Sequence, residues 1–199
     1  LTDHHGDLLM PTITISRQLG SQGSTLARLV GERLGYRVVW RDLINLAARR
    51  AGAPEVALAT IDELGLLGLR PSAAAFQAYH QAVAQVLSEM ADAGGVIIVG
   101  RAGQVILRDR PNVIHVRVIA PEEVRAQRLA DRSGIPIEAA RAQVEASDRA
   151  RRDYLRRYYH ARWDDPTLYD LVINTARLPV PLAADLLCEL VVRWERPLV

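Results

Sequence analysis

The chain has 199 residues, 49% of them hydrophobic and 24% charged, which suits one domain with a real core and excludes a disordered chain. A net charge of +2 argues against a chain built mainly to bind nucleic acid, and the single cysteine, Cys188, excludes an internal disulfide. No lysine occurs, so all 25 basic residues are arginine; arginine offers a planar fork for phosphate and carboxylate, although GC-rich coding accounts for the bias as well.

Residues 1–10 are polar, lack signal-peptide character and read as a disordered leader, His4 and His5 included. A start at Met10 would cost the expected fold nothing. No run approaches the roughly twenty apolar residues of a membrane span, and the default expectation is a cytoplasmic chain. Residues 11–199 read as one domain.

Apolar runs bounded by turn residues predict five strands: Thr12–Ser16, Tyr36–Trp40, Val96–Gly100, Asn112–Val118 and Leu168–Asn174. Helical patterns separate them, so the expected class is α/β, a parallel sheet with helices on both faces. The first helix spans about Ser24 to Leu34 and stops at Gly35. Residues 53–93 contain no strand and read as a helical insertion. There Phe76, Tyr79, Val83, Val86 and Met90 recur at helical spacing, a core stripe first and a homodimer seam second. Another helix opens at Pro121 and closes at Gly134. Residues 136–161 form a long arginine-rich helix, and a last helix, about 181–194, carries Cys188 as a structural thiol.

The loop between the first strand and helix, "SRQLGSQGSTLA", carries the chemistry. Gly20 and Gly23 let backbone N–H groups turn around an anion, and the helix aims its positive end at the same place. Ser24 or Thr25 offers a hydroxyl to Mg²⁺. Against the pattern G-x-x-x-x-G-K-[ST], Arg17 stands at the first glycine and Gly23 at the lysine. On its own residues the loop is equally well an ordinary strand-to-helix turn.

The ordered segments "ITISRQLGSQGSTLARLVGERLGYRVVWRDLI", "VIIVGRAGQVIL", "VIHVRVIAPEEVRAQRL", "SDRARRDYLRRYY" and "WDDPTLYDLVINT" resemble the cytidylate kinase-like proteins, relatives of the P-loop nucleoside monophosphate kinases. The resemblance covers about residues 12–176. It implies a P-loop three-layer fold with a five-stranded parallel sheet, a helical acceptor-binding insertion and an arginine-rich lid. It implies ATP with Mg²⁺ as cofactors, nucleotide substrates and CMP or dCMP as the acceptor. Gly20, Ser21, Gln22, Gly23, Ser24 and Thr25 would hold the donor phosphates, with Ser24 and Thr25 toward the metal. Gly100 and Arg101 would lie at the acceptor. Asp148, Arg151 and Tyr154 match the family spacing of the lid, where Asp148 would meet substrate and Arg151 and Arg152, expected on one side of the helix, would neutralise phosphate charge. Trp40 stands where the family has an aspartate, and Asp42 is the candidate substitute; Trp40 itself reads as a packed strand-end residue. The lysine is commonly absent from this branch. Arg17, at the loop entrance, is the first candidate for the missing cation, the lid arginines the second, and Arg28 is expected to point away. Asp164 and Asp165, before Pro166, read as a turn. The alternatives to an enzyme of this type are a non-catalytic nucleotide- or phosphate-binding module and a kinase for another small metabolite.

Overall fold

The computed structural model describes residues 10–40, 45, 49 and 73–194. Asp42, most of the stretch before residue 73, and the side chain of Phe76 lie outside the described residues. The elements are β1 (Thr12–Arg17), α1 (Gly23–Leu34), β2 (Arg37–Val39), α2 (Ala73–Ala93), β3 (Val96–Val99), α3 (Gly103–Ile106), β4 (Val113–Ile119), α4 (Glu122–Ser133), α5 (Ile137–Tyr159), a 3-10 turn (Pro166–Leu168), β5 (Leu171–Asn174) and α6 (Val180–Val192). The five strands form one parallel sheet in the order β2-β3-β1-β4-β5. β1 is central, so the loop that follows it opens at the middle of the sheet's carboxyl edge, where open α/β sheets bind ligands.

Burial explains the layers. Leu26 and Val30 of α1 and Ala183 and Leu187 of α6 pack on Ile13, Ile15, Ile97 and Val116 on one face. On the other, Tyr79, Val83 and Leu87 of α2 join Val96, Ile98, Tyr154 and Trp163. A third cluster joins Ala126 and Leu129 of α4 to Ala140 and Val144 of α5, with Leu19 of the loop packed against it. Each large aliphatic side chain buried this way contributes about 1.5–3 kcal/mol. The stripe at Tyr79, Val83 and Val86 is core, as expected, which leaves those residues nothing for a seam between two copies. Cys188 is half-buried, and burial pushes its thiol pKa up, which disfavours the reactive thiolate.

Local chemistry sets the ends. α4 starts after Pro121 with Glu122 and Glu123 at its positive end and stops at Gly134 in the left-handed region. α5 runs unbroken and ends at His160, φ 52°. β5 is shorter than its apolar pattern suggests. Asp165 accepts a hydrogen bond from the Thr167 N–H at 2.9 Å, and the resulting 3-10 turn takes Leu168 out of the strand. Trp40 lies just past β2 and is 37% exposed, so it is not the packed strand end expected from the sequence.

One sheet face is unusually polar. His115 and Arg117 alternate with Ile114, Val116 and Val118 along β4, and all five are buried. Thr14 Oγ1 and His115 Nδ1 are 2.7 Å apart, the Trp163 indole N–H donates to Ser16 Oγ at 2.9 Å, and the Arg117 guanidinium lies 4.5 Å from the Trp163 ring centroid. Burial holds His115 below its ordinary pKa; Asp170 and the Leu107 backbone act the other way without winning. The folded state therefore binds a proton at His115 less well than the unfolded chain, whose imidazole titrates near pH 6.5. Stability from this site is complete above that pH and is lost as the pH falls below it. Urea midpoints should drop between pH 7.5 and 5.5, and the drop should shrink in His115→Gln.

Candidate functional site: a lysine-free phosphate loop

The loop from Gln18 to Gln22 is held from three sides. Ser21 is fully buried; its Oγ donates to the Gln18 carbonyl at 2.8 Å, and its own carbonyl accepts from Thr175 Oγ1 at 2.8 Å. The Ser21 hydroxyl therefore closes the turn. Gly20, φ 80°, runs against α4 so closely that a Cβ would fall 2.5 Å from the Arg125 carbonyl oxygen. Gln22, φ 60°, is a non-glycine residue in the left-handed region, a strained conformation that clusters at ligand loops. The first turn of α1 holds no acidic residue, and Ser24 and Thr25 are exposed there.

In front of the loop is a cavity of about 530 Å³. Arg17, Gly20, Gln22, Gly23, Ser24 and Thr25 form its loop side; Arg128, Asp131, Arg132 and Arg151 face them. Four arginines against one aspartate make it an anion site. Arg128 is fixed from behind, donating to Thr175 Oγ1 at 3.0 Å and to the Thr175 carbonyl at 2.9 Å. Arg128 and Arg132 were not among the residues singled out from sequence. The available signal was the spacing in "VRAQRLADR", which puts Arg125, Arg128 and Arg132 at helical steps of three and four.

Arg125 joins the loop to the arginine-rich helix. Its Nε donates to the Ala120 carbonyl at 2.9 Å and its Nη1 to the Leu19 carbonyl at 3.3 Å. The same fork grips Asp148 of α5, Nη1 to Oδ1 at 3.2 Å and Nη2 to Oδ2 at 2.9 Å. Gln18 Nε2 also donates to Asp148 Oδ2, at 3.4 Å. Asp148 is thus buried between Arg125 and Gln18, and its oxygens serve the protein's own frame.

The arginines of α5 part ways. Arg151 is buried, with Nη1 donating to Ser147 Oγ and its guanidinium 5.8 Å from the Trp163 ring centroid; Arg152 is exposed and lines neither cavity described here. The expectation that both share one side is corrected, because successive helical residues are turned by about 100°. Behind the loop is a second, tight cavity of about 20 Å³, with Gly100, Gln104, Tyr154 and Trp163 in its wall. Arg17 and Arg151 line both cavities.

Gly100 and Arg101 both have positive φ, 83° and 58°. Arg101 is 1% exposed, donates from Nη2 to Asn45 Oδ1 at 2.8 Å and lies over the Tyr79 ring at 5.8 Å. It is directed toward α2 and Asn45, away from the phosphate loop cavity. Arg28 is exposed and lines neither cavity. No group of three or more His, Cys, Asp or Glu side chains that could hold a metal occurs among the described residues.

The architecture is the three-layer α/β fold of P-loop proteins, with five parallel strands and the loop at the central one. Shikimate kinase from Acinetobacter baumannii shares it, at a TM-score of 0.52, 16% identity and 92% coverage of this chain and 93% of that one. An uncharacterised protein from Eubacterium ventriosum superposes better, at a TM-score of 0.72 and 20% identity over 92% of this chain and 99% of that one. The chain belongs to the cytidylate kinase-like family, whose model matches residues 12–177. It is 27% identical to the cytidylate kinase of Pyrobaculum calidifontis over 90% of this chain and 94% of that protein. It is 37% identical to that of Halobacterium salinarum over 41% of this chain, spanning only 43% of that protein. A match to a uronate isomerase of Corynebacterium glutamicum, 26% identical over 75% of this chain, spans 28% of that relative. No helix among the described residues is long and apolar enough to cross a membrane.

Proposed function

We propose that this protein transfers the terminal phosphoryl group of ATP to a nucleoside monophosphate, with CMP or dCMP as acceptor. The observation that carries the reading is the shared lining of the two cavities by Arg17 and Arg151. In this reading a phosphoryl group moving from a donor on the loop to an acceptor beyond it meets charge from Arg17 and Arg151, which border both spaces. In this reading an acceptor phosphate oxygen attacks the γ-phosphorus, the bond to the bridging oxygen breaks, and ADP leaves. Such transfer depends on positioning and on charge held in place beforehand.

The loop N–H groups and the start of α1 take the donor phosphates, Arg128 and Arg132 bind the donor from the α4 side, and Arg151 stabilises the charge of the group in transit. Ser24 and Thr25 are the hydroxyls available to Mg²⁺, which would neutralise charge on the donor phosphates. Gly100 and Arg101 belong to the acceptor side, with Asp42 as the further acceptor candidate. Arg152, the other catalytic candidate on α5, is exposed and approaches the site from solvent. The test is a panel of CMP, dCMP, UMP, AMP, shikimate and gluconate with Mg-ATP, following ADP. Turnover with CMP or dCMP above the rest is the expected result; preference for a non-nucleotide acceptor would reassign the substrate.

A phosphate-binding module without transfer is the second reading, favoured by the missing loop lysine. The two share one expectation: Arg17→Ala should weaken Mg-ATP binding about tenfold, as for a lost charge-assisted contact, while Arg28→Ala changes it little. Equal affinities in the two variants would remove Arg17 from the site.

A further inference from the structure

With Gly23 at the lysine, the loop departs from the phosphate-loop pattern at three positions, Arg17 and Gln22 for glycine and Gly23 for lysine. The first and the last of these touch. A Cβ built on Gly23 would lie 2.5 Å from Arg17 Cβ, 3.2 Å from Arg17 Cγ and 3.1 Å from Val118 Cβ. The first distance is far inside van der Waals contact, and the atom it involves is Arg17's own Cβ. Rotating the arginine away does not relieve it; only glycine at 17 removes that atom. With this backbone, a side chain at 17 and a side chain at 23 exclude each other. In the ordinary pattern glycine stands at 17 and lysine at 23, and here the two roles are reversed.

We propose that the departures at 17 and 23 are a single reciprocal exchange, in which the phosphate-binding cation has moved from the loop to the end of β1 and is carried by Arg17. The proposal rests on the reading of this loop as a nucleotide-phosphate site. Gly23 is glycine because the Arg17 stem occupies the space in front of it, not because its backbone needs glycine: it is the first residue of α1 and has no positive φ. Arg17 ends β1 and lines the cavity, which places a cationic side chain at the site from the strand side. The exchange also accounts for a kinase-type loop that does without lysine while keeping Ser24 and Thr25 in place.

A mutant cycle tests this without requiring turnover. In the wild-type background Gly23→Ala should lower the thermal midpoint, because the loop must shift to admit the Cβ. In the Arg17→Gly background the same change should lower it much less or not at all, since the remaining close neighbour, Val118 Cβ at 3.1 Å, has only to give by a few tenths of an ångström. Equal losses in both backgrounds overturn the exchange. The second arm measures Mg-ATP affinity. Arg17→Gly should weaken binding about tenfold or more, Gly23→Lys alone should not improve on the wild type, and Arg17→Gly/Gly23→Lys should regain most of the loss. A double variant binding no better than Arg17→Gly overturns the transfer of the cation's role. Absence of phosphoryl transfer in the wild type would sink the transferase reading and leave both arms of this test in force. Absence of Mg-ATP binding in the wild type would sink the nucleotide reading and the cation assignment together.

Discussion

Arg151→Ala is expected to lower kcat about a hundred- to a thousandfold, the usual effect of removing one preorganised group that meets transition-state charge. Arg151 is the member of the arginine helix that is buried, is held by Ser147, and borders both cavities. Arg152, next in sequence, is exposed, and Arg152→Ala should cost far less. A loss from Arg151→Ala confined to KM would mean ground-state binding alone and would contradict the role given to it. Because the side chain is buried, Arg151→Lys separates charge from packing. It should keep the fold, with the thermal midpoint near the wild type, and recover only part of the rate, since an ammonium cannot reproduce the planar fork.

The largest stability effect is expected at Asp148. Asp148→Ala leaves the Arg125 guanidinium buried, 4% exposed in its side chain, with its carboxylate partner gone. Breaking one partner of a buried ion pair costs about 3–5 kcal/mol, because the remaining charge has lost both water and counter-ion. Urea unfolding measures this directly. Arg125→Met/Asp148→Leu should be much less damaging than Asp148→Ala, since no orphan charge remains. The double variant should still lose nucleotide affinity: Arg125 also holds the Leu19 carbonyl, and Gln18 loses its contact with α5. A single variant as stable as the wild type would show that the pair contributes nothing to joining loop and lid.

Much of the fold was legible in local pattern. "TITIS" and "VIIV" read as strands because little that is polar interrupts their burial: Thr14 pairs with His115 of the neighbouring strand, and Ser16 accepts from the Trp163 indole. Gly35 and Gly134 marked helix ends because only the left-handed backbone closes them there. What failed to show was set by tertiary contact. Arg125 and Asp148 are 23 residues apart, and only the packing of α4 on α5 brings them together. Asp148 therefore read as a ligand residue from its motif, although its oxygens face Arg125 and Gln18. Arg128 and Arg132 drew no reading of their own from the sequence, because only the placing of α4 beside the loop puts them in the cavity wall. Arg117 sits in a buried strand, and its place is intelligible only with Trp163 and Tyr169 beside it. The loop departures at 17 and 23 were visible as letters, but their mutual exclusion is a distance.

The central claim is that this lysine-free site moves a phosphoryl group. The most direct measurement supplies ATP labelled in its γ-phosphate, Mg²⁺ and CMP to the purified protein and follows the label. Label appearing in CDP, with ADP formed in equal amount and both abolished by Arg151→Ala, is the predicted result. Label remaining in ATP while the nucleotide binds tightly would contradict the claim.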